Sequence, residues 1–466
     1  MKRIISIFLT IFVLLSILTW ITSCTENQIT YMEQPTINGV LLNDYTIVYD
    51  ESALDYNKRA AEYIKNTAHS RYGITLSIVD DATEKSAHEI VVGETSREIS
   101  STLDAETKGL EFSIIANDGS IALEGNYFVI AAAAFYFMEN HALTNAQSSV
   151  VLETVSVHEP IVKEAKNYIM LIGDGMGVYH TQMFEYLENN VDFSDGEDLF
   201  YGYLLPYIGT SKTNSINGVT DSAAGGTALA CGYKTYNNYV GVDRSGHPIK
   251  SLTELADEFN MEAAVMSTES KTGATPSSFV VHVNSRSASA ALAKGIVEAQ
   301  QKYGTIINCG YDNYHVSGIT MLETQIEDTL KKASANENGF FMMYEEAYID
   351  KHSHDNDLNK AFQTVVRFNQ AIARFMEFAF YNPETFILIT ADHETGDLKP
   401  DENGNLSYNY DDHTSADVQI FAYGHKADLF NGVTIENIQI AHTIASFMGD
   451  DNFGDQSEFQ SLTKGK

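Results

Sequence analysis

The sequence predicts an α/β protein: a mostly parallel sheet with helices on both faces, preceded by a small α+β domain. Three observations carry this. Apolar runs of strand length (NYIMLIG, AAVMSTES, GTIINCG, FFMMYEEA, TFILITA and VQIFAYG) recur from residue 167 onward. Helical segments such as SLTELADEFN, ASAALAKGIVEAQQKYG and DLNKAFQTVVRFNQAIARFMEFAF stand between them. This alternation argues a parallel sheet covered on both sides. Upstream of the charged linker HEPIVKEAKN the order is different, with strands, hairpin signals and two helices making a separate unit over residues 36–158.

In chain order, Lys2-Arg3 and the apolar run IISIFLTIFVLLSILTWI read as a secretory signal over residues 1–23. It ends at Ile21-Thr22-Ser23-Cys24, which resembles the lipobox of bacterial lipoproteins. That resemblance implies a lipid on Cys24 and a body outside the cytoplasm, attached to a bacterial membrane; an uncleaved transmembrane anchor is the competing reading. TINGVLLNDYTIVYD reads as two strands about an Asn-Asp turn. Tyr56, Ala60, Ile64 and Ala68 recur at helical spacing, with Gly73 as the stop. EFSIIANDGSIALEG is a hairpin turning near Asn117-Asp118-Gly119, and NYFVIAAAAFYFMENHA an apolar helix. The pattern loosely resembles the small non-catalytic domain of some glycoside hydrolases, such as hexosaminidases and α-glucuronidases. It implies glycan contact, set beside a plain spacer or docking role. In the helix 357–380, Leu358, Phe362, Val365, Ile372 and Phe375 mark one face. The polar tail 451–466 is expected to fray.

The 29 basic and 63 acidic residues give a formal charge of −34, and −36 once Lys2 and Arg3 leave with the signal. Such a surface repels nucleic acid and anionic lipid, so membrane attachment has to come from the lipid anchor. Three cysteines make no disulfide scaffold; whether Cys231 and Cys309 pair stays open.

The chemistry centres on residues 209–235, GTSKTNSINGVTDSAAGGTALACGYKT. Asp221 is a plausible N-cap, which puts Ser222 in a first helical turn where unpaired N–H groups favour an alkoxide or phosphate. Gly225 and Gly226 allow close packing against that helix. Sheets of this kind gather ligands at the carboxyl ends of their strands. There the sequence places Asp174 after NYIMLIG, Glu345, Asp350 and His354 after FFMMY, and Asp392 and His393 after TFILIT, with His413 later. Asp350 and His354 share one helical face. Carboxylates and imidazoles together suit Zn²⁺, with a harder oxygen site beside it. His180, His247, His282, His352, His425 and His442 are assigned no role, and His282 reads as a structural imidazole.

The segments NYIMLIGDGMG, TDSAAGGTALACGYKT, ATPSSFVVHVNSR, EEAYIDKHSH, ITADHETG and HTSADVQIFAYG resemble alkaline phosphatase, in the family's order and over about residues 166–448. The resemblance implies a phosphomonoesterase with Ser222 as nucleophile and a phosphoserine intermediate. It implies two Zn²⁺ and one Mg²⁺: Asp350, His354 and His413 on the first zinc, Asp392, His393 and Asp174 on the second, and Asp174, Glu345 and Thr275 on magnesium. Arg286 would grip phosphate, oriented by Asp221, and Lys351 would contact phosphate through water. The segment between His393 and His413 is short where the family often carries an insertion, so a homodimer stays open. Competing functions are a related two-zinc phosphodiesterase or sulfatase-like hydrolase, and a glycan-binding surface lipoprotein with a vestigial site. One departure stands out. Many bacterial members have an Asp two residues before Thr275, where this chain has Gly273. Weak magnesium binding, tightened by Gly273→Asp, is the expectation, unless Asp397 or Glu269 supplies the carboxylate through the fold.

Overall fold

A computed structural model describes residues 31–53, 55–102, 108–117, 119–142, 155–187, 199–310 and 316–464. The signal segment and Cys24 lie outside them. Among the described residues no helix is long and apolar enough to cross a membrane.

The N-terminal part is built on β1 (Thr46–Tyr49), α1 (Asp55–Tyr72), β2 (Ser77–Asp80), β3 (Glu89–Val92), β4 (Phe112–Asn117), β5 (Ser120–Gly125), α2 (Ile130–Asn140) and β6 (Ser156–His158). The strands form one sheet in the order β2-β1-β3-β5-β4-β6. β2, β1, β3 and β5 are mutually parallel, and β4 is antiparallel to both its neighbours. Side chains alternate across it: Ile47 and Ile90 join the core under α1 and α2, while Val48 and Val91 point to a smaller cluster on the other face. The first turn is not where the sequence suggested. Thr36–Ile37 pairs with Val40–Leu41 around Asn38-Gly39, both at positive φ, and Leu42–Asp44 is a 3₁₀ turn. Asn-Gly meets the two left-handed positions a tight hairpin needs, which Asn-Asp meets less well.

The second part contains β7 (Asn167–Gly173), β8 (Tyr207–Lys212), α3 (Ser222–Cys231), α4 (Leu252–Glu258), β9 (Glu262–Ser267), α5 (Ala274–Ser278), α6 (Ser289–Tyr303), β10 (Ile306–Cys309), α7 (Val316–Ala333), β11 (Phe340–Glu346), α8 (Tyr348–His354), α9 (Leu358–Tyr381), β12 (Thr385–Thr390), β13 (Val418–Tyr423), β14 (Thr434–Glu436) and α10 (Ile438–Met448). Its eight strands run β10-β9-β11-β7-β12-β13-β8-β14. The five from β10 to β12 are parallel; β13 is antiparallel to both β12 and β8. The α/β class expected from the sequence is what folds. Successive residues of the central strand feed opposite cores: Ile169 and Leu171 face α7 and α9, Met170 and Ile172 face α3, α4, α6 and α10.

The two sheets share one apolar core, closed where α1 and α2 meet α9. The tail does not fray as expected. Phe453 is buried, Gln439 Nε2 donates to the Gln460 carbonyl, and Leu462 N donates to Thr443 Oγ1, so residues 451–464 lie against α10. Cys231 and Cys309 are free thiols.

Candidate metal and nucleophile site

Three parallel strands deliver the acids. β7 ends at Gly173, and Asp174 follows in the turn; β11 carries Glu345 as its penultimate residue; β12 ends at Thr390, just before Asp392 and His393. All four side chains are buried. α8 starts directly after β11 and places Asp350 and His354 one turn apart. His413 returns through a two-residue bridge in which Glu394–Thr395 pairs with His413–Thr414.

α3 carries the serine. Asp221 is its N-cap: Oδ1 accepts from Ala224 N at 3.0 Å, so Ser222 opens the helix. Asp221 Oδ2 accepts from Asn238 N at 2.9 Å and from Arg286 Nη1 at 3.2 Å. One carboxylate thus fixes both the helix start and the guanidinium. The two glycines explain how α3 comes so near. A Cβ on Gly225 would lie 3.0 Å from the Asp392 carbonyl, and one on Gly226 3.1 Å from Thr275 Cα.

Two ligand clusters result. Asp350, His354 and His413 form one, and Asp174, Asp392 and His393 the other, each with donor atoms within 4.8 Å of one another. The imidazole tautomers follow from their partners. His354 Nδ1 donates to the Asp411 carbonyl at 2.7 Å and His413 Nδ1 to the Thr220 carbonyl at 2.8 Å, since a carbonyl only accepts. Their two Nε2 atoms face each other at 3.1 Å, and each lies 3.4 Å from Asp350 Oδ1. In the second cluster Thr395 Oγ1 donates to Asp350 Oδ1 at 2.6 Å and so accepts from His393 Nδ1 at 3.2 Å. His393 Nε2 is then left for Ser222 Oγ at 3.2 Å and for Asp174 and Asp392, each at 3.4 Å.

The donors fit metal ions. Asp174 Oδ1, Asp392 Oδ2, Glu345 Oε1 and Thr275 Oγ1 are buried and find no hydrogen-bond partner among the described residues. Burial, and then the charge of Asp392, drives the Asp174 carboxyl well above the carboxylate range; burial and then Glu269 do the same to Glu345. Burial and then Asp350 push Asp392 up to about 7. Burial also acts on Asp350, but the hydrogen bond from His413 and the charges of His393, His413 and His354 outweigh it and hold it well below its usual range. His413 is raised to about 9 against its burial, by Asp350. Dehydrated carboxylates this crowded, beside converging imidazole nitrogens, are relieved by cations placed among them. Nitrogen and carboxylate donors suit zinc in the two clusters, and the all-oxygen set of Asp174, Thr275 and Glu345 suits a harder ion.

Every residue nominated from the sequence thus lies at this one end of the sheet. Thr395, not singled out from the sequence, and Glu269, weighed there only as an alternative carboxylate, belong with them. Thr395, two residues after His393, bridges ligands of the two clusters. Glu269, just past β9, salt-bridges Lys351 at 2.9 Å. A polar residue beyond a strand end was the available signal for both; their partners are set only by the fold. A third acidic group, Asp50, Asp80 and Asp81, sits at the strand ends of the N-terminal sheet. Its oxygens already accept backbone N–H groups of Ser52, Glu51, Ala82 and Ser96.

The fold and site define an α/β protein with two histidine–carboxylate clusters, one of them against a helix-borne serine. The alkaline phosphatase family model matches residues 165–308 and 317–404. Alkaline phosphatase 3 of Bacillus subtilis is 30% identical over 285 residues, covering 50% of this chain and 62% of that relative's own length. Alkaline phosphatase of Escherichia coli is 25% identical over 431 residues, covering 66% of this chain and 90% of the relative. The solved alkaline phosphatase from the Antarctic bacterium TAB5 superposes with a TM-score of 0.51 at 25% identity, covering 62% of this chain and 98% of that one. The chain belongs to the alkaline phosphatase family. The expectation drawn from the six motif segments is borne out at that level.

Proposed function

We propose that the protein is a phosphomonoester hydrolase that works through a phosphoserine on Ser222, with two zinc ions and one magnesium ion. The observation that carries the reading is the position of Ser222. Its Oγ lies at the N-terminal end of α3, against His393 Nε2, with Arg286 held beside it by Asp221. Bound zinc would lower the pKa of a coordinated hydroxyl or water, so that no separate general base is needed. Asp350, His354 and His413 would hold one zinc, Asp174, Asp392 and His393 the other, and Asp174, Thr275 and Glu345 the magnesium.

The chain's own residues do the rest. The planar guanidinium of Arg286 takes two phosphate oxygens, and α3 offers its first N–H groups and dipole to the same charge. Ser222 Oγ attacks phosphorus as the ester oxygen leaves, and water then cleaves the phosphoserine. Lys351 stands next to Asp350 as a further cation. These cations allow an anionic substrate to approach a protein whose formal charge is −34. The names of its relatives, alkaline phosphatases in Bacillus subtilis and Escherichia coli, support the same substrate class. A variant of the TAB5 enzyme described with Mg bound in its M3 site supports a magnesium position in this fold.

The test is to load the protein with zinc and magnesium and compare aryl phosphate, a phosphodiester and an aryl sulfate. Monoester turnover should dominate. Faster cleavage of the diester or sulfate would replace this reading with that of a related hydrolase. We further propose that the body lies outside the cytoplasm on a lipid attached to Cys24, from the small residues before that Cys. Cys24→Ser should release the protein from the membrane fraction; a mutant that is cleaved yet still pellets would refute the anchor.

A further inference from the structure

Gly273 has no backbone reason to be glycine. Its φ of −57° and ψ of 156° are open to any residue, and it caps α5 without a side-chain hydrogen bond. The reason is a neighbour. A Cβ at 273 would lie 1.6 Å from Glu269 Oε1 and 2.2 Å from its Cδ. The Glu269 carboxylate, reaching in from the end of β9, fills the volume that a side chain at 273 would need.

That carboxylate is held by Lys351, and the Glu269 backbone by Ser267. Lys351 Nζ donates to Oε2 at 2.9 Å, and Lys351 itself lies over the Tyr348 ring, 4.1 Å from its centroid. Glu269 N donates to Ser267 Oγ at 3.0 Å, while the same hydroxyl donates to Glu345 Oε2. Ser267 therefore ties the backbone of Glu269 to a carboxylate of the all-oxygen set. Thr275, two residues beyond Gly273, supplies another member. The Glu269 side chain is largely covered, and Lys351 is more open, so the pair borders both the oxygen site and the adjoining cavity of about 630 Å³.

We infer that Glu269 is a positioning residue of the magnesium site: its carboxylate stands where Gly273 leaves room and orients the water shell of a cation held by Asp174, Thr275 and Glu345. The sequence expectation of a missing outer carboxylate is thereby replaced. The carboxylate is present, delivered from the end of β9 instead of the start of α5, and Gly273→Asp would have to displace it to place its own. Magnesium keeps several waters when bound, so groups that orient those waters set its affinity. The inference rests on the assignment of Asp174, Thr275 and Glu345 to magnesium under the proposed function.

The experiment is a calorimetric titration of Mg²⁺ into zinc-loaded protein, with zinc content and the thermal midpoint measured on each sample and aryl phosphate turnover followed in parallel. Glu269→Gln should weaken Mg²⁺ binding by about 10–100-fold at unchanged zinc content. Gly273→Asp alone should weaken binding or leave it unchanged, because the two carboxylates compete for one space. The double variant Glu269→Gly with Gly273→Asp should bind Mg²⁺ more tightly than Glu269→Gln, the new carboxylate now having room. A purely structural role for Glu269 would lower the thermal midpoint without this rescue. The inference is overturned if Glu269→Gln binds Mg²⁺ as tightly as the parent, if Gly273→Asp alone tightens it, or if the parent takes up no Mg²⁺. Loss of the proposed function reads differently, as a parent that binds Mg²⁺ and hydrolyses no phosphomonoester.

Discussion

Ser222 is placed by two neighbours, the cap Asp221 and His393, and neither depends on its hydroxyl for its own position. Asp221 is fixed by Ala224 N, Asn238 N and Arg286, and His393 by Thr395. Ser222→Ala should therefore remove nearly all monoester turnover while zinc content is retained. Activity above about a tenth of the parent would mean direct attack by water, because losing an activated nucleophile typically costs orders of magnitude. His282 answers a different question. The sequence marks it as structural, and it donates from Nδ1 to the Gly241 carbonyl at 2.6 Å and faces Glu254 Oε1 at 3.3 Å. Burial lowers its pKa, but the hydrogen bond and charge of Glu254 win and raise it; Glu254 is lowered to about 2, with its burial outweighed mainly by His282. A histidine raised on folding stabilises fully below its unfolded pKa, about 6.5, and loses that contribution as pH climbs through the folded value. A lowered glutamate contributes above its unfolded pKa and loses the contribution as pH falls toward 2. His282→Ala should thus cost most between about pH 5 and 6.5, on the order of 1 kcal/mol for a partly exposed pair. Thermal midpoints across pH would check it; a deficit that grows above pH 8 would contradict the ion pair.

At the scale of elements, the site depends on how close α3 can lie to the end of β12. Gly225→Val should push Asp392 aside, because the first added carbon already sits 3.1 Å from Asp392 Cβ and 3.0 Å from its carbonyl. The expected result is loss of about one zinc equivalent and a fall in turnover of roughly 10–100-fold, the scale of a disturbed metal-ligand support. Full zinc content by metal analysis would show that the approach is not what matters. These glycines were legible in the sequence as a sign of close packing, but not what packs there. The strand ends were legible as well: NYIMLIG is strand β7 residue for residue, and hydrophobic runs of that length leave little freedom. β8 was not. Its residues, Tyr207 to Lys212, are half polar, and they are held as a strand by β13 and β14 from far along the chain. Glu269 was visible only as an alternative to Asp397, because no pattern in the sequence says which carboxylate reaches the space left by Gly273. α7 also escaped, its apolar positions Leu322, Ile326 and Leu330 being spaced among charged residues and resolved only by packing on the sheet.

At the scale of the whole molecule, the two sheets are joined by more than a linker. Phe128 is fully buried against Tyr201 and Phe380, with ring centroids at 5.1 and 5.9 Å. Tyr63 stacks on Tyr381 at 4.0 Å, and Arg59 shares its Nε–H between the two Glu377 carboxylate oxygens and donates from Nη2 to one of them. Glu377 also takes Arg374 at 3.0 Å, and Arg374 pairs with Glu323 at 2.7 Å, so two arginines meet two glutamates where α1 meets α9. α9 in turn braces the catalytic sheet: Arg367 Nε and Nη2 clasp the buried Glu346, the residue after Glu345. The N-terminal sheet is thus continuous, through one apolar core, with the helix that supports β11, the strand bearing Glu345. Such a shared core predicts one cooperative unfolding transition. Phe128→Ala should lower stability by about 3–5 kcal/mol, the cost of emptying a buried aromatic site. Differential scanning calorimetry of the parent should give a single peak, and the variant a single peak at lower temperature. Two separated peaks, with the N-terminal one alone moved by Phe128→Ala, would show that the sheets fold independently and that the packing on α9 couples nothing.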